Sequence, residues 1–171
     1  DASTVAAGYS RFLTATANFS GSTTLDVTGI ASWESSNETL AIVNNGFHVH
    51  GRVMGRAVGT PTITAYFGGT SGSTGVTVTN ATLSSIDVTP DEPSVNADEG
   101  QLFTATGTFS DASTKNITHE VQWTSSDETY AVISNHYGDW GWAIGVATGS
   151  AVITATDPRS GVTGTETLTV N

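Results

Sequence analysis

The stretch that decides the fold is Leu13–Ser20, with the sequence LTATANFS, because it occurs again as Phe103–Ser110, with the sequence FTATGTFS. In both copies small or apolar residues alternate with Thr or Asn, and this period of two places them on one face of a strand. Thr and Phe also favour a pleated, half-buried surface. The two copies therefore predict the same antiparallel strand, with one face toward a core, in each of two successive units.

The repeat continues beyond this stretch at the same offset of 90 residues. Trp33 matches Trp123, and each lies two residues before a Ser-Ser pair. Short alternating runs separated by repeated turn residues are typical of a β-sandwich. We therefore predict an all-β chain of two tandem units, residues 1–80 and residues 81–171. The later matches are Gly51 with Gly141, Gly55 with Gly145, Gly59 with Gly149, Ile63 with Ile153, Ala65 with Ala155 and, at an offset of 92, Val76–Val78 with Leu168–Val170.

The composition agrees with an all-β fold and excludes several classes of site. Ser and Thr together account for 49 residues, Gly for 19, and 37% of the chain is hydrophobic, which suffices for two cores. Cys is absent, so a disulfide framework and Cys-based zinc or redox sites are excluded. No apolar run approaches the roughly 20 residues that span a bilayer, so membrane insertion is not predicted.

The charge is strongly acidic and unevenly distributed. The net charge is −11, with 16 acidic against 5 basic side chains. Nucleic acid is therefore not a predicted partner, because phosphate binding needs clustered Lys and Arg. Residues 81–171 carry 12 of the acidic side chains, and we interpret this excess as a contribution to the solubility of the second unit.

The second unit contains a fixed succession of motifs: Ile86-x-Val88-x-Pro90, Phe103–Asp111, Val121-x-Trp123-x-Ser125 and Leu168–Val170. This succession resembles the bacterial immunoglobulin-like domain, group 2, over Leu83–Val170, and the first unit resembles the same family over Phe12–Val78. The resemblance implies two tandem immunoglobulin-like Greek-key β-sandwiches with Trp33 and Trp123 in their cores. It also implies an extracellular or cell-surface protein, since such modules occur in intimin- and invasin-like adhesins, leptospiral immunoglobulin-like surface proteins and multidomain extracellular enzymes.

The first unit departs from the second at its beginning. The second unit opens with a predicted strand over Leu83–Pro90, and the matching strand of the first unit would precede Asp1. A sandwich without this strand exposes unpaired N–H and C=O groups along one edge. Three explanations stay open: a boundary of the chain, a strand donated by a neighbouring subunit, or pairing of Ala2–Ser10 with that edge in another register.

The second unit also carries a local cluster of aromatic residues, Tyr137, Trp140 and Trp142, within the sequence HYGDWGW. If Gly141 and Ala143 face inward on a strand, then Trp140 and Trp142 face outward. Exposed aromatic side chains stack on sugar rings or anchor protein interfaces. The three are therefore candidate ligand or interface residues, and the alternative is packing against a neighbouring loop or the other unit.

Two kinds of metal site are conceivable from the residue types. His48 and His50 lie two residues apart, so on a strand they would share a face and could hold a metal with a third ligand. Carboxylates occur in pairs at Asp91-Glu92, Asp98-Glu99 and Asp127-Glu128, and oxygen-rich loops bind calcium. None of these pairs belongs to a dedicated calcium loop, so calcium is a weak expectation and no other cofactor is predicted.

The predicted function follows from the repeat and from the absence of catalytic motifs. The chain contains no Gly-x-Ser-x-Gly, no His-Glu-x-x-His and no phosphate-binding glycine loop, so we do not predict an enzyme. The leading hypothesis is a structural or adhesive module, with other domains, subunits, a host or matrix receptor or a glycan as partners. The alternatives are a filament subunit completed by strand donation and a carbohydrate-binding module of a polysaccharide-degrading enzyme.

Overall fold

The computed structural model describes residues 3–171 and divides the chain into two compact units. The first unit ends at Ala81 and the second is Thr82–Asn171. All regular secondary structure in residues 3–171 is β-strand, which confirms the predicted fold class. The same part of the chain contains no helix that is long and apolar enough to cross a membrane.

The first unit is built from a four-stranded sheet, a three-stranded sheet and a hairpin. The sheets have the strand orders β1-β9-β8-β5 and β2-β7-β6, and the hairpin is β3-β4. Buried residues of the two sheets form the core, among them Val5, Val53 and Ile63, and the buried Val27 follows directly after the hairpin. The strands are β1 Ser3–Ala6, β2 Ser10–Phe12, β3 Thr16–Asn18, β4 Thr24–Asp26, β5 Ser32–Ser35, β6 Ala41–Val43, β7 Arg52–Gly55, β8 Thr62–Phe67 and β9 Thr70–Thr79.

The second unit repeats this plan with one additional strand, β10. Its sheets have the strand orders β11-β19-β18-β15, β12-β17-β16 and β10-β13-β14. Phe103, Ile117 and Ile153 are fully buried in its core. The strands are β10 Leu83–Thr89, β11 Ser94–Val95, β12 Gly100–Leu102, β13 Thr104–Phe109, β14 Thr114–Asn116, β15 Gln122–Ser125, β16 Ala131–Ile133, β17 Trp142–Gly145, β18 Gly149–Thr156 and β19 Thr163–Val170.

Each core is centred on a tryptophan. Trp33 is 6% exposed and Trp123 is 1% exposed. The indole Nε1 donates to the carbonyl of Thr28 in the first unit, at 3.1 Å, and to that of Thr118 in the second, at 3.0 Å. A buried indole N–H that is hydrogen-bonded to a carbonyl avoids the desolvation penalty of an unpaired donor. The large apolar ring is therefore buried without that free-energy cost.

An asparagine holds the backbone of each tryptophan. Asn45 accepts a hydrogen bond from the backbone N–H of Trp33 at 2.6 Å and donates one to its carbonyl at 2.8 Å. Asn135 makes the same pair of bonds with Trp123, at 2.7 and 2.8 Å. The side-chain amide therefore replaces a neighbouring strand, and both units fix the tryptophan strand in the same way.

The strand β1 settles one of the three explanations for the open edge. It pairs in parallel with β9, with Ser3 opposite Val76, as β11 pairs in parallel with β19. Ser10 lies in β2, which pairs with β7. The hypothesis that Ala2–Ser10 fills the open edge is therefore wrong for the residues from Ser3 onward, and Ala2 lies outside the described residues.

Candidate functional site

The outer edge of β3 distinguishes the first unit from the second. In the second unit, β13 lies between β14 and β10, with which it pairs along Leu83–Thr89. In the first unit β3 is the counterpart of β13, and among residues 3–171 it pairs with β4 alone. One edge of the first sandwich is therefore open to a further strand.

The backbone groups that face this edge follow from the pairing on the other side. Val27 N–H donates to the carbonyl of Ala15 at 2.8 Å, and Phe19 N–H donates to that of Thr23 at 2.9 Å. Alternate residues of a strand turn their backbone groups to opposite neighbours. The N–H and C=O groups of Thr16 and Asn18 therefore point to the open edge.

A groove with a volume of about 990 Å³ runs along this edge and reaches the core. Its base is apolar, and one wall is β3 while the other is the beginning of β9. Because the groove combines an apolar base with an unpaired strand edge, it can accept a peptide in extended conformation. The residues that define it are Ala17, Phe19, Val27, Trp33, Ile63 and Gly72.

In the second unit, β10 occupies the matching space. Its side chains Leu83, Ile86 and Val88 are buried. A Cβ added to Gly107 of β13 would lie 2.7 Å from Cδ1 of Leu83, and one added to Gly164 of β19 would overlap the carbonyl of Ile86. The strand therefore bridges β13 and β19 and closes the core.

The matched positions of the first unit are uncovered. Phe19 is 49% exposed, whereas its counterpart Phe109 is 4% exposed. Gly72 pairs with Ala65 as Gly164 pairs with Ala155, yet a Cβ on Gly72 would meet no atom within 4 Å. The groove is thus the space that β10 fills in the second unit.

The aromatic residues of the second unit lie at two places. Trp142 is on the outer face of β17, 41% exposed, and its indole covers Gly100 so closely that a Cβ there would overlap the ring. Trp140 precedes β17 and is half-buried, with its ring 5.1 Å from that of His119 and 5.8 Å from that of Tyr137. The outward orientation predicted for Trp140 on a strand is therefore wrong, because the strand begins only at Trp142.

The two histidines are not on a strand. His48 and His50 lie in the turn between β6 and β7, and His48 has a left-handed φ of 65°. The premise that they share a strand face is therefore wrong. Within residues 3–171, no group of three or more His, Cys, Asp or Glu side chains is placed to hold a metal ion.

The comparisons with known proteins agree with this architecture. Residues 82–170 match the family model of the bacterial Ig-like domain (group 2), which is more than half of the chain. The chain belongs to this family. The resemblance deduced from the motif order over Leu83–Val170 is thereby confirmed.

One relative of this Ig-like chain is Ice-binding protein 1 of Shewanella frigidimarina (strain NCIMB 400). The two are 40% identical over 164 residues, which are 95% of this chain and 18% of that protein. The chain therefore spans less than a fifth of the length of that relative.

Among solved structures, domains 5-6 of the S-layer protein SbsC are 20% identical to this Ig-like chain, with a TM-score of 0.49, over 99% of this chain and 92% of that one. The C-terminal fragment of intimin, solved in complex with the intimin-binding domain of its translocated receptor, is 14% identical, with a TM-score of 0.33, over 82% and 51%. Both are low similarities, in sequence and in superposition.

Two of the carboxylates considered for calcium, Asp127 and Glu99, have local partners in the Ig-like turns. Asp127 accepts hydrogen bonds from the N–H and hydroxyl of Thr129, at 2.9 and 2.6 Å, and the hydroxyl is the larger cause of the lowered pKa of Asp127. Glu99 accepts two from Asn96, at 3.1 and 3.0 Å. Such bonds stabilise turns, and calcium binding stays a prediction.

An ionic cluster in the second Ig-like unit has no counterpart in the repeat. Asp157 is fully buried, pairs with Arg159 at 2.8 Å and accepts hydrogen bonds from the N–H and hydroxyl of Ser160. Arg159 also pairs with Glu120, which binds Lys115. The only sequence signal for this cluster was the change of offset from 90 to 92 residues at this turn.

Proposed function

We propose that the chain is a structural module of a bacterial extracellular or cell-surface protein, where it spaces or supports other domains. The observation that carries this proposal is that the same core, a tryptophan held by an asparagine, is built twice in succession. Tandem repetition of one structural unit is how repeat proteins are extended. In this role the chain is not an enzyme.

Single-molecule force spectroscopy tests the proposed role. The chain is placed between marker domains of known unfolding force and stretched. We expect two separate unfolding events, each releasing roughly 300 Å of chain, because each unit has its own core. A chain that extends without resistance in both units would contradict the proposed structural role, and the marker domains control for attachment.

The relation to Ice-binding protein 1 supports a place within a larger protein. Because the similar region is 18% of that relative, its name does not identify which part of it binds ice. We propose that the present chain supports a ligand-binding domain and does not bind ice itself. Measurement of ice growth in the presence of the isolated chain is expected to show no effect; inhibition or shaping of ice crystals would refute this assignment.

A second candidate function is binding of a glycan by the outer face of β17. The observation in its favour is the half-exposed indole of Trp142, which covers Gly100 and has the exposed Leu102 and Ile144 beside it in the sheet. A flat aromatic surface is suited to stacking on a sugar ring. If this function is correct, Trp142→Ala abolishes retention in affinity electrophoresis on soluble polysaccharides and the control Tyr137→Ala does not. Equal mobility of all three proteins would exclude it.

A further inference from the structure

We propose that the groove of the first unit binds an extended strand with the side-chain pattern of β10, supplied by polypeptide on the N-terminal side of β1. This strand would run antiparallel to β3 and close the first sandwich. It is a specific binding site that lies beyond the spacer role and does not depend on it.

The backbone of β3 provides one half of the site. In the second unit Asp87 is paired with Thr106 and Ser85 with Thr108. Thr16 and Asn18 are the matched residues of β3, and their N–H and C=O groups point to the open edge. A strand in the groove therefore gains ladder hydrogen bonds that no described residue of the chain provides.

The glycine at position 72 provides a second argument. A glycine inside a strand weakens it unless another backbone must approach closely. Gly164 has such a reason, because the backbone of Ile86 lies against it. Gly72 has the same place and ordinary strand conformation, but a Cβ added to it would meet no atom within 4 Å. The first unit thus keeps the space for an approaching backbone.

A difference between the two units at one position predicts the size of one side chain of the bound strand. Gly107 admits Leu83 so closely that an added Cβ would lie 2.7 Å from Cδ1 of Leu83. The first unit has Ala17 at this position, so its Cβ occupies part of the volume that Leu83 uses. We therefore expect a side chain smaller than Leu, such as Val, at the matching position of the bound strand, and aliphatic residues at the positions of Ile86 and Val88.

The topology identifies the source of the strand. In the second unit β10 leads into β11 through Pro90–Pro93, and β1 is the counterpart of β11 because both pair in parallel with the last strand of their unit. A strand entering before β1 therefore needs only a short connection. A second copy of the chain has no spare strand to offer, since every strand within residues 3–171 is already paired.

The experiment uses the whole chain extended by eight residues, the sequence of Leu83–Pro90 fused before Asp1, with Val in place of its Leu. This fusion reproduces the 90-residue register. The control carries the same extension with Asp in place of its Ile and its second Val, the residue that matches Val88. Hydrogen exchange is followed in residues 13–20, and we expect exchange to slow by about 100-fold in the extended chain and to stay unchanged in the control.

The possible outcomes separate the alternatives. Equal exchange rates in the extended chain and its control would overturn the proposal. If the original chain is a dimer with residues 13–20 already protected, the occupant is a second copy and the proposed source is wrong. Equal protection by the free octapeptide at stoichiometric concentration would likewise refute supply from the N-terminal side, because a covalent connection raises the effective concentration to the millimolar range.

Discussion

The two units place the same residue in opposite environments. Phe109 and Phe19 are matched residues of the same repeated stretch, but Phe109 is 4% exposed and Phe19 is 49% exposed. The difference comes from β10, which begins at Leu83 and pairs with β13, with Leu83 opposite Phe109. A strand outside the repeated stretch therefore decides whether the phenylalanine is buried. Two nearly identical local sequences then contribute different amounts to the free energy of unfolding of their units.

The cores below these edges differ much less. Both tryptophans are buried, and both hold an Nε1 hydrogen bond and an asparagine clamp. The contrast between the units is therefore confined to one side of the first sandwich. Substitutions at matched positions can measure how far this local difference extends.

The largest effects are expected for the two tryptophans. Trp123→Ala should lower the free energy of unfolding of the second unit by about 5 kcal/mol, and Trp33→Ala that of the first by about 3 kcal/mol. Trp33 lines the groove, so water can enter the space that its removal leaves. Urea unfolding followed by hydrogen exchange reports each unit separately. A larger loss for Trp33→Ala would show that the groove is closed in solution.

Of the matched pairs, the two phenylalanines should show the largest ratio between their losses of unfolding free energy. Phe109→Ala removes a buried ring and should cost the second unit about 3–4 kcal/mol, whereas Phe19→Ala should cost the first unit about 1 kcal/mol or less. Thermal unfolding monitored by circular dichroism checks both. Similar losses for the two variants would mean that Phe19 is covered in solution. This result would contradict the open groove in the first unit.

The alternation of residues predicted these strands and their inward faces. It did not predict whether a further strand would pair with them and bury those faces. The period of two in Leu13–Ser20 agrees with the burial along β3, where Ala17 is half-buried between the exposed Thr16 and Asn18, since backbone geometry is a local property. Whether another strand covers that side depends on chain far away in sequence. The missing counterpart of Leu83–Thr89 was the one signal for it, and it came from comparing the repeats.

Local prediction failed where turns replaced the expected strands. Trp142 and Ile144 point outward as alternation predicts, but Trp140 and His48 lie in turns, where a period of two has no meaning. The left-handed φ of His48 is set by the path of the turn and is rare for a residue other than Gly. The ion-pair cluster around the buried Asp157 was not predicted either, because Arg159, which pairs with Asp157, also pairs with Glu120, 39 positions away in the sequence.

A smaller effect, equal in both units, is expected for the asparagine clamps. Asn135→Ala and Asn45→Ala each remove two hydrogen bonds to the backbone of a tryptophan, and each should cost about 2 kcal/mol. The clamps lie away from the open edge, so the two losses should agree within about 0.5 kcal/mol. Chemical denaturation of the two variants measures this. A clear excess in one unit would show that the groove weakens the first unit beyond its edge.

The smallest expected effect is on the pH dependence of stability. Asp26 in the first unit and Asn116 in the second occupy matched positions, and each accepts a hydrogen bond from the following threonine's N–H, at 2.8 and 3.0 Å. The hydroxyl of Thr28 is the main cause, and its N–H a further one, of the lowered pKa of Asp26. A carboxyl whose pKa is lower in the folded state stabilises that state above its unfolded pKa of about 4, and this contribution is lost as the pH falls through the folded value.

Exchanging the two side chains should therefore exchange the acid response. Asp26→Asn should make the melting temperature of the first unit less sensitive to acid between about pH 6 and pH 2.5, and Asn116→Asp should make that of the second unit more sensitive. The shifts are expected to be small because Asp26 is fully exposed to water. Calorimetry at several pH values measures them. If Asp26→Asn leaves the acid response of the first unit unchanged, the lowered pKa does not contribute to its folding, and the two turns are equivalent despite their difference in charge.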